Sequence, residues 1–514
     1  MTAPAPDTPF RTLPDLIGEH ARLRPNHPAL RDERDTLSYA ELDALMDRIA
    51  AALQRDGVQP GQAIAICATA SVRYAALFMG ALRAGVVVAP LAPSSTADSL
   101  ASMLRDADAR LLFVDASTHD RLPAPSAALP RIALDGSAGG RAWGDWLAPA
   151  GARPQPVAIA PDAPFNIIYS SGTTGTPKGI VQSHGMRWAH IQRGSVYDYG
   201  PQGSTLLATP LYSNTTLVVF VPTLAYGGCV VLMPKFDALH YLQLAQQHRI
   251  THTMLVPVQY QRIMALPQFG DFDLTAFRYK FCTSAPFRAE LKADVLARWP
   301  GGLTEFYGMT EGGGTCILDA HLHPTKLHTV GRPAATSDIR LIDEDGHEAA
   351  PGEAGEVVGH SPGMMTGYHG QPAKTREAEW FDATGKRFIR TGDVGRFDAD
   401  GFLTLIDRRK DMIISGGFNI YPSDLEAALR QHPAVHDVAV VGVPSDQWGE
   451  TPVAFVVPHA GATTTADELK DWYNQSAGKT QRLSDLRLVA DLPRSAIGKV
   501  LKRELRDAYA ARGS

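Results

Sequence analysis

The run Tyr169-Ser-Ser-Gly-Thr-Thr-Gly-Thr-Pro-Lys-Gly179 decides how this chain is read. It follows an apolar stretch, Phe165-Asn-Ile-Ile-Tyr169, whose aromatic and β-branched residues predict a strand. Small residues let backbone N–H groups approach an anion, hydroxyls add donors, and Lys178 adds a positive charge. The pattern is therefore that of a phosphate cradle. It is not a Walker A loop, which needs G-x-x-x-x-G-K-S/T; here Pro177 precedes the lysine and Gly179 follows it. The bland alternative is a flexible surface loop, but so dense a run of small and hydroxylated residues ending in lysine favours the cradle.

Working outward, helical patterns alternate with short apolar strands (AIAICAT, GVVVAPL, RLLFVDA) from Pro14 to about Ala160, which predicts α/β layers on a largely parallel sheet. Residues 116 to 163 are rich in Ala, Pro, Gly and Ser and are expected to be a surface excursion. A second α/β stretch follows to about Pro300. From Gly331 to Leu405, short strands and turns (DIRLIDEDG, GEVVGHS, RFIRTGD, FDADGFLTLI) predict a small antiparallel β unit. After the charged string Asp407-Arg-Arg-Lys-Asp411 come about a hundred residues, enough for an independent α+β domain. The expected class is α/β: a large N-terminal part of layered α/β subdomains plus a small β unit, residues 1–408. A small mobile α+β C-terminal domain, residues 409–514, follows. Leu217 to Met233 (LVVFVPTLAYGGCVVLM) is near membrane-spanning length but holds Pro222 and Gly227-Gly228, so it reads as a buried helix turning into a buried strand.

Composition narrows the function. At 514 residues the chain has room for roughly three domains of about 150 residues each. Lys plus Arg number 49 and Asp plus Glu 54, a net charge of −5 that argues against a nucleic-acid binder. Apolar residues at 44% and charged residues at 20% are those of a globular protein rather than a disordered one. Cys67, Cys229, Cys282 and Cys316 lie too far apart for a C-x-x-C metal pair, and no disulfide framework is suggested. The N-terminus MTAPAPDTPF lacks the basic start and apolar run of a secretory signal, and the C-terminus ARGS is not a peroxisomal address. Cytoplasm is the expected location.

Five further motifs follow the loop in order: Tyr307-Gly-Met-Thr-Glu311, Arg390-Thr-Gly-Asp393, Asp407-Arg-Arg-Lys-Asp411, Ser415-Gly-Gly-Phe-Asn-Ile-Tyr-Pro422 and Pro493-Arg-Ser-Ala-Ile-Gly-Lys499. With these six, residues 10 to 510 resemble the adenylate-forming superfamily of acyl- and aryl-CoA synthetases, carrier-protein adenylation domains and beetle luciferases. The resemblance implies that a carboxylate attacks the ATP α-phosphate, pyrophosphate leaves, and a thiol captures the acyl-adenylate. It assigns ATP to Ser170, Ser171, Gly172, Thr173, Thr174, Gly175, Thr176 and Lys178, to Ser284-Ala285-Pro286, and to Glu305, Phe306, Tyr307, Gly308 and Thr310. Asp393 and Arg408 would hold the ribose. Tyr307 offers a ring to adenine, Thr310 a hydroxyl to phosphate or carboxylate, and Glu311 a hard oxygen to Mg2+. Lys499 is similar to the lysine that neutralises charge developing during adenylation. Gly416 and Gly417 would line the pantetheine tunnel in a second domain orientation, with Lys410 as hinge and Trp448 and Arg482 as contacts to the CoA nucleotide.

The acyl pocket is expected at Tyr212, Ser213, Asn214, Met309 and, from its place on the helix after the phosphate loop, Arg193. Arg193 has two readings, a surface arginine or a pocket wall that would favour a second acidic or hydroxyl group. Three departures stand out: Ser213 occupies the position of a gating His, Thr480-Gln-Arg-Leu483 replaces an aromatic-K-x-P, and Pro422-Ser-Asp-Leu-Glu426 replaces P-x-E-x-E. Ser423-Asp-Leu-Glu426 also reads as a capping box opening the first tail helix. The expected activity is an ATP-dependent carboxylic acid–CoA ligase using Mg2+, acting on a medium-chain or aromatic monocarboxylic acid. The alternative is a stand-alone adenylation enzyme loading a carrier-protein pantetheine. The partners expected are small molecules (the acid, ATP and CoA), with no nucleic acid and no membrane span, in a monomer or homodimer.

Overall fold

Uninterrupted apolar tetrads and pentads such as Ala63–Cys67 and Val87–Pro90 are buried along their whole length, as strands of a parallel sheet covered on both faces must be. The computed structural model describes residues 8–118, 122, 129–170, 178–408, 411–415, 418–445, 448–478, 481–495 and 498–511, and only the backbone of Ser170, Phe418, Asn419 and Ser476. The chain divides into two compact units: residues 1–327, 333–338 and 359–389, and residues 328–332, 339–358 and 390–514.

The first unit holds two large sheets. Seven elements matter to the site: strands β1 (Pro164–Ser170), β2 (Lys178–Ser183), β3 (Gly302–Met309) and β4 (Gly312–Asp319), and helices α1 (His184–Arg193), α2 (Asn214–Ala225) and α3 (Ala289–Arg298). In one sheet the order is Gly367–Tyr368, β2, β1, Val87–Pro90, Ala63–Cys67, Leu112–Val114, Arg131–Ala133 and Arg141–Ala142. In the other it runs β4, β3, Tyr279–Cys282, His252–Leu255, Ser204–Leu207, Cys229–Leu232, Pro28–Arg31 and Thr36–Ser38. Helices Tyr39–Arg55 and Val72–Arg83 pack so closely that a Cβ on Gly80 would sit 2.6 Å from Ile49. The first is opened by a capping box between Ser38 and Glu41.

Residues 116 to 163 are more than a surface excursion. Their strands Arg131–Ala133 and Arg141–Ala142 extend the sheet in parallel. Trp143 and Trp146 are buried edge-on to Phe113, at ring distances of 6.4 and 4.9 Å. Two tryptophans in a run of small residues carry enough apolar area to overrule its composition. The apolar stretch from Leu217 forms the end of helix α2 and then the buried strand Cys229–Leu232. Among the described residues no helix is long and apolar enough to cross a membrane. All four cysteines are buried free thiols.

The second unit contains the antiparallel pairing of Arg387–Phe397, from residue 390 onward, with Leu403–Arg408. It also contains a sheet ordered Phe418–Ile420, Ile413–Ser415, Gly449–Pro458, Val435–Ser445, on which Asp485–Leu488 pairs in parallel with Gly449–Pro458. The expected capping box at Ser423 does not form. Helix Pro422–Leu429 begins at Tyr421 with no side-chain cap. Ser423 instead donates its N–H to Asp407 Oδ2 (2.9 Å) and its hydroxyl to the Ile406 carbonyl. Glu426 accepts from the Val440 N–H and from Lys502 Nζ, each at 2.9 Å. Partners distant in sequence outcompeted the local bond.

Candidate active site

Strands β1 and β2 are antiparallel, with Ser170 opposite Lys178 and Asn166 opposite Gln182. Ser171, Gly172, Thr173, Thr174, Gly175 and Thr176 lie outside the described residues. Both inward amides are fully buried and therefore need partners. Asn166 Nδ2 donates to Gln182 Oε1 at 2.9 Å. Gln182 Nε2 donates to the Thr310 carbonyl at 2.7 Å and to Asn214 Oδ1 at 3.2 Å. Arg187, one turn into helix α1, donates to Asn214 Oδ1 (2.9 Å), Asn166 Oδ1 (3.0 Å) and Gln182 Oε1. It also meets His190 Nδ1 at 3.3 Å. Every partner is neutral, and burial pulls the Arg187 pKa down to about 9. Burial, helped by the charges of Arg193 and Arg187, holds His190 well below its ordinary value, so its Nδ1 is the acceptor. A buried cation without a counter-ion is costly. Here it fixes the backbone at Thr310 and the side chain at Asn214, two residues that the sequence assigns to catalysis and to the acyl pocket.

Thr310 and Glu311 form the bend between β3 and β4. Gly312 follows with φ +77°, and a Cβ there would meet the Gly363 carbonyl oxygen at 1.9 Å, so only glycine fits. Glu311 Oε1 accepts from the Tyr368 hydroxyl at 2.9 Å, and Lys178 Nζ lies 5.0 Å from the centroid of the same ring. Glu311 Oε2 has no protein donor among the described residues. A half-buried carboxylate with one oxygen fixed and one free is a hard-oxygen donor of the kind Mg2+ takes alongside phosphate oxygens.

Further along β3, Glu305 is buried against Lys292 of helix α3, 2.5 Å away. Desolvation outweighs that pairing and raises the Glu305 pKa to about 7. Phe306, Tyr307, Met309 and Thr310 are half-buried and Gly308 is exposed, so this edge of β3 faces open space. Ser284 has a φ of +82°, unusual for a residue with a side chain, and its hydroxyl is 2.6 Å from that of Thr215. Ala285 is half-buried and Pro286 exposed beside it. Of the residues expected in the acyl pocket, Ser213 caps helix α2 by accepting from the Thr215 N–H at 3.3 Å, and Asn214 belongs to the buried network. The Tyr212 hydroxyl pairs with Ser94, and burial raises its pKa. Arg193 is half-buried, 5.2 Å from the Phe306 ring centroid and 3.3 Å from Thr315 Oγ1.

In the second unit Asp393 and Arg408 face each other across two strands and form an ion pair at 3.0 Å. Lys499 is half-buried in a turn closed by its own carbonyl, which accepts from the Ser495 N–H at 2.8 Å. Gly498 takes φ +75° there, and its carbonyl accepts from Arg494 at 2.8 Å. Trp448 and Arg482 are exposed. Lys410, Gly416 and Gly417 lie outside the described residues.

Asn166, Gln182, Arg187, Lys292 and Tyr368 were not singled out from the sequence. A signal existed for two of them. Asn166 and Gln182 interrupt strands FNIIY and GIVQ at positions that alternation turns inward, and inward amides imply a buried network. Nothing local marks Tyr368, which reaches Glu311 across 57 positions.

Residues 17–369 match the AMP-binding enzyme model, and residues 424–499 match that of the AMP-binding enzyme C-terminal domain. The chain belongs to the AMP-binding enzyme family. Among relatives of this AMP-binding enzyme, feruloyl-CoA synthase from Amycolatopsis is 34% identical over 95% of this chain and 97% of that protein. Indoleacetate–CoA ligase of Aromatoleum aromaticum is 32% identical over 97% and 98%. Among solved structures, ATP-bound MatB from Rhodopseudomonas palustris superposes with a TM-score of 0.85 at 29% identity, over 97% of this chain and 99% of that one. The two α/β sheets and the smaller C-terminal part are thus the architecture of AMP-forming acid–thiol ligases, and this chain is one of them.

Proposed function

We propose that the protein is an ATP-dependent carboxylate–CoA ligase for a medium-sized acid, aromatic or medium-chain. The carboxylate oxygen attacks the α-phosphorus, and the bond to the bridging oxygen breaks as pyrophosphate leaves. The CoA thiolate then attacks the acyl carbon and AMP departs. Thr310 offers its hydroxyl at the α-phosphate, Asp393 and Arg408 the ribose contacts, and Lys178 a charge for the outer phosphates. Lys499 supplies a cation during the first step. Gly416 and Gly417 line the thiol's approach during the second, with Lys410 the pivot between them. Glu311 would hold Mg2+, which neutralises phosphate charge when bound.

The observation that carries this reading is the buried network beneath Thr310. Four polar side chains, one of them charged, are spent on holding one turn of backbone and Asn214. That is preorganisation of the kind transition-state stabilisation requires. The stretch Tyr212 to Thr216 is polar and compact, with its side chains partnered within the protein, so it offers a long alkyl chain little apolar wall. The test is AMP and thioester formation from ATP, CoA and a panel of acids. Benzoate, phenylpropanoate or octanoate should be preferred to palmitate; efficient use of palmitate, or AMP release with no thioester, would contradict it.

A further inference from the structure

Helix α1 carries Arg187, His190 and Arg193 at intervals of three residues, on one face. Their fates differ. Both terminal nitrogens of Arg187 are taken up by neutral partners, and His190 is uncharged, as described above. Among the described residues Arg193 has one hydrogen bond, 3.3 Å from Nη1 to Thr315 Oγ1, and a stacking contact with Phe306 at 5.2 Å. A guanidinium has five N–H donors, so most of this fork is uncommitted. No carboxylate of the described residues is among its partners. The other groups that act on it are the phenols of Tyr197 and Tyr199, and desolvation among these rings lowers its pKa. Arg193 ends its helix, where a cation is favourable to the dipole, yet its fork is turned to Thr315 of β4 rather than to the helix's own carbonyls.

Its position relative to the chemistry follows from the strands. A Cβ on Gly308 would lie 3.6 Å from Thr315 Oγ1, so Arg193 and Gly308 share the same hydroxyl as neighbour. Thr310 is two residues further, just past the end of β3 and at most about 7 Å of chain from Gly308, so the fork and the turn that carries Thr310 are neighbours. Gly308 is exposed, and Phe306, Thr315 and Arg193 are half-buried, so the fork opens onto the same face.

We propose that Arg193 is a specificity-determining residue that reads an oxygen acceptor, carboxylate or hydroxyl, at the far end of the acyl substrate. The inference rests on the ligase reading and deepens it. Without that oxygen, the desolvated fork is left unpaired in the complex; with it, two charge-assisted hydrogen bonds become available.

The test compares 3-phenylpropanoate, 3-(4-hydroxyphenyl)propanoate and 3-(4-carboxyphenyl)propanoate on the full chain, by kcat/KM for AMP release and by calorimetric binding. Both oxygenated acids should exceed the parent by about ten- to a hundredfold in the wild type. A lead for the carboxylate marks an anionic substrate and a lead for the hydroxyl a neutral one. Arg193→Gln should collapse the advantage to within about threefold, through KM. Arg193→Lys, which keeps the charge and loses the fork, should retain part of it. Equal use of all three acids by the wild type, or an equal loss on all three in Arg193→Gln, would overturn the proposal while leaving the ligase reading intact. Binding of the oxygenated acids with no AMP release from any acid would instead remove the ligase reading.

Discussion

Gln182→Glu separates the two roles of the buried network. The substitution is isosteric and leaves the acceptor side intact: Asn166 Nδ2 at 2.9 Å and the Arg187 guanidinium can still donate to it. It gives Arg187 the counter-ion it lacks. It also removes both donors, so an oxygen now faces the Thr310 carbonyl where an N–H stood at 2.7 Å, and Asn214 Oδ1 keeps only its bond from Arg187. A buried ion pair roughly repays its own desolvation, so stability should stay within about 1 kcal/mol of wild type. The lost donor and the new repulsion at Thr310 should cost about 1.5–3 kcal/mol in the adenylation transition state, roughly 10- to 100-fold in rate. Gln182→Leu takes one acceptor from Arg187 and the acceptor of Asn166 Nδ2 and should instead cost about 1–3 kcal/mol of stability. Pyrophosphate exchange measured beside urea unfolding distinguishes them. Unchanged exchange in a well-folded Gln182→Glu protein would refute the claim that the network positions Thr310.

Tyr368→Phe removes the 2.9 Å donor to Glu311 and should slow adenylation about 3- to 10-fold, as one hydrogen bond of roughly 1 kcal/mol implies. A Mg2+ titration of pyrophosphate exchange should show a raised half-saturation, and an unshifted curve would disconnect Glu311 from the metal. Lys499→Ala should slow adenylation on the order of 10²–10³-fold, as for other charge-stabilising groups, yet spare thioester formation from synthetic acyl-adenylate. Gly417→Leu should do the reverse, and equal loss in both half-reactions would remove the case for two domain orientations. Burial holds the imidazoles of His184 and His252 neutral, each with a pKa near 4. The unfolded chain takes up those protons below about pH 6.5, so each contributes stability that is lost as pH falls from there to about 4. Glu305, raised to about 7, has the opposite sign, so the readout is the stability difference between wild type and His252→Gln. That difference should shrink from pH 7 to pH 5; a constant difference would place His252 in contact with solvent.

The cradle strand, the six motifs and the helix-to-strand reading of residues 217–233 were legible because each is a local pattern with its own physical reason. Asp393 and Arg408 were singled out from their places in motifs, and the strand register brings them face to face. What failed was competition between local and distant partners. Ser423 sat three residues before Glu426, the spacing of a capping box, but Asp407 and Val440 offered buried partners that a local cap could not match. Trp143 and Trp146 were lost in an alanine- and proline-rich stretch because composition averages away two large side chains. Arg187 was invisible for a further reason. An uncompensated arginine looks like a surface residue until the amides of two strands and of a helix's first residue are brought around it.

The central claim is that the acid's own carboxylate attacks the α-phosphate and that a thiol then takes the acyl group. The direct measurement uses the preferred acid carrying ¹⁸O in both carboxylate oxygens, with ATP, Mg2+ and CoA, followed by mass analysis of the products. Transfer through an acyl-adenylate requires one ¹⁸O in each AMP released, one in the thioester carbonyl, and none in pyrophosphate. Unlabelled AMP, or label in inorganic phosphate beside ADP, would contradict it.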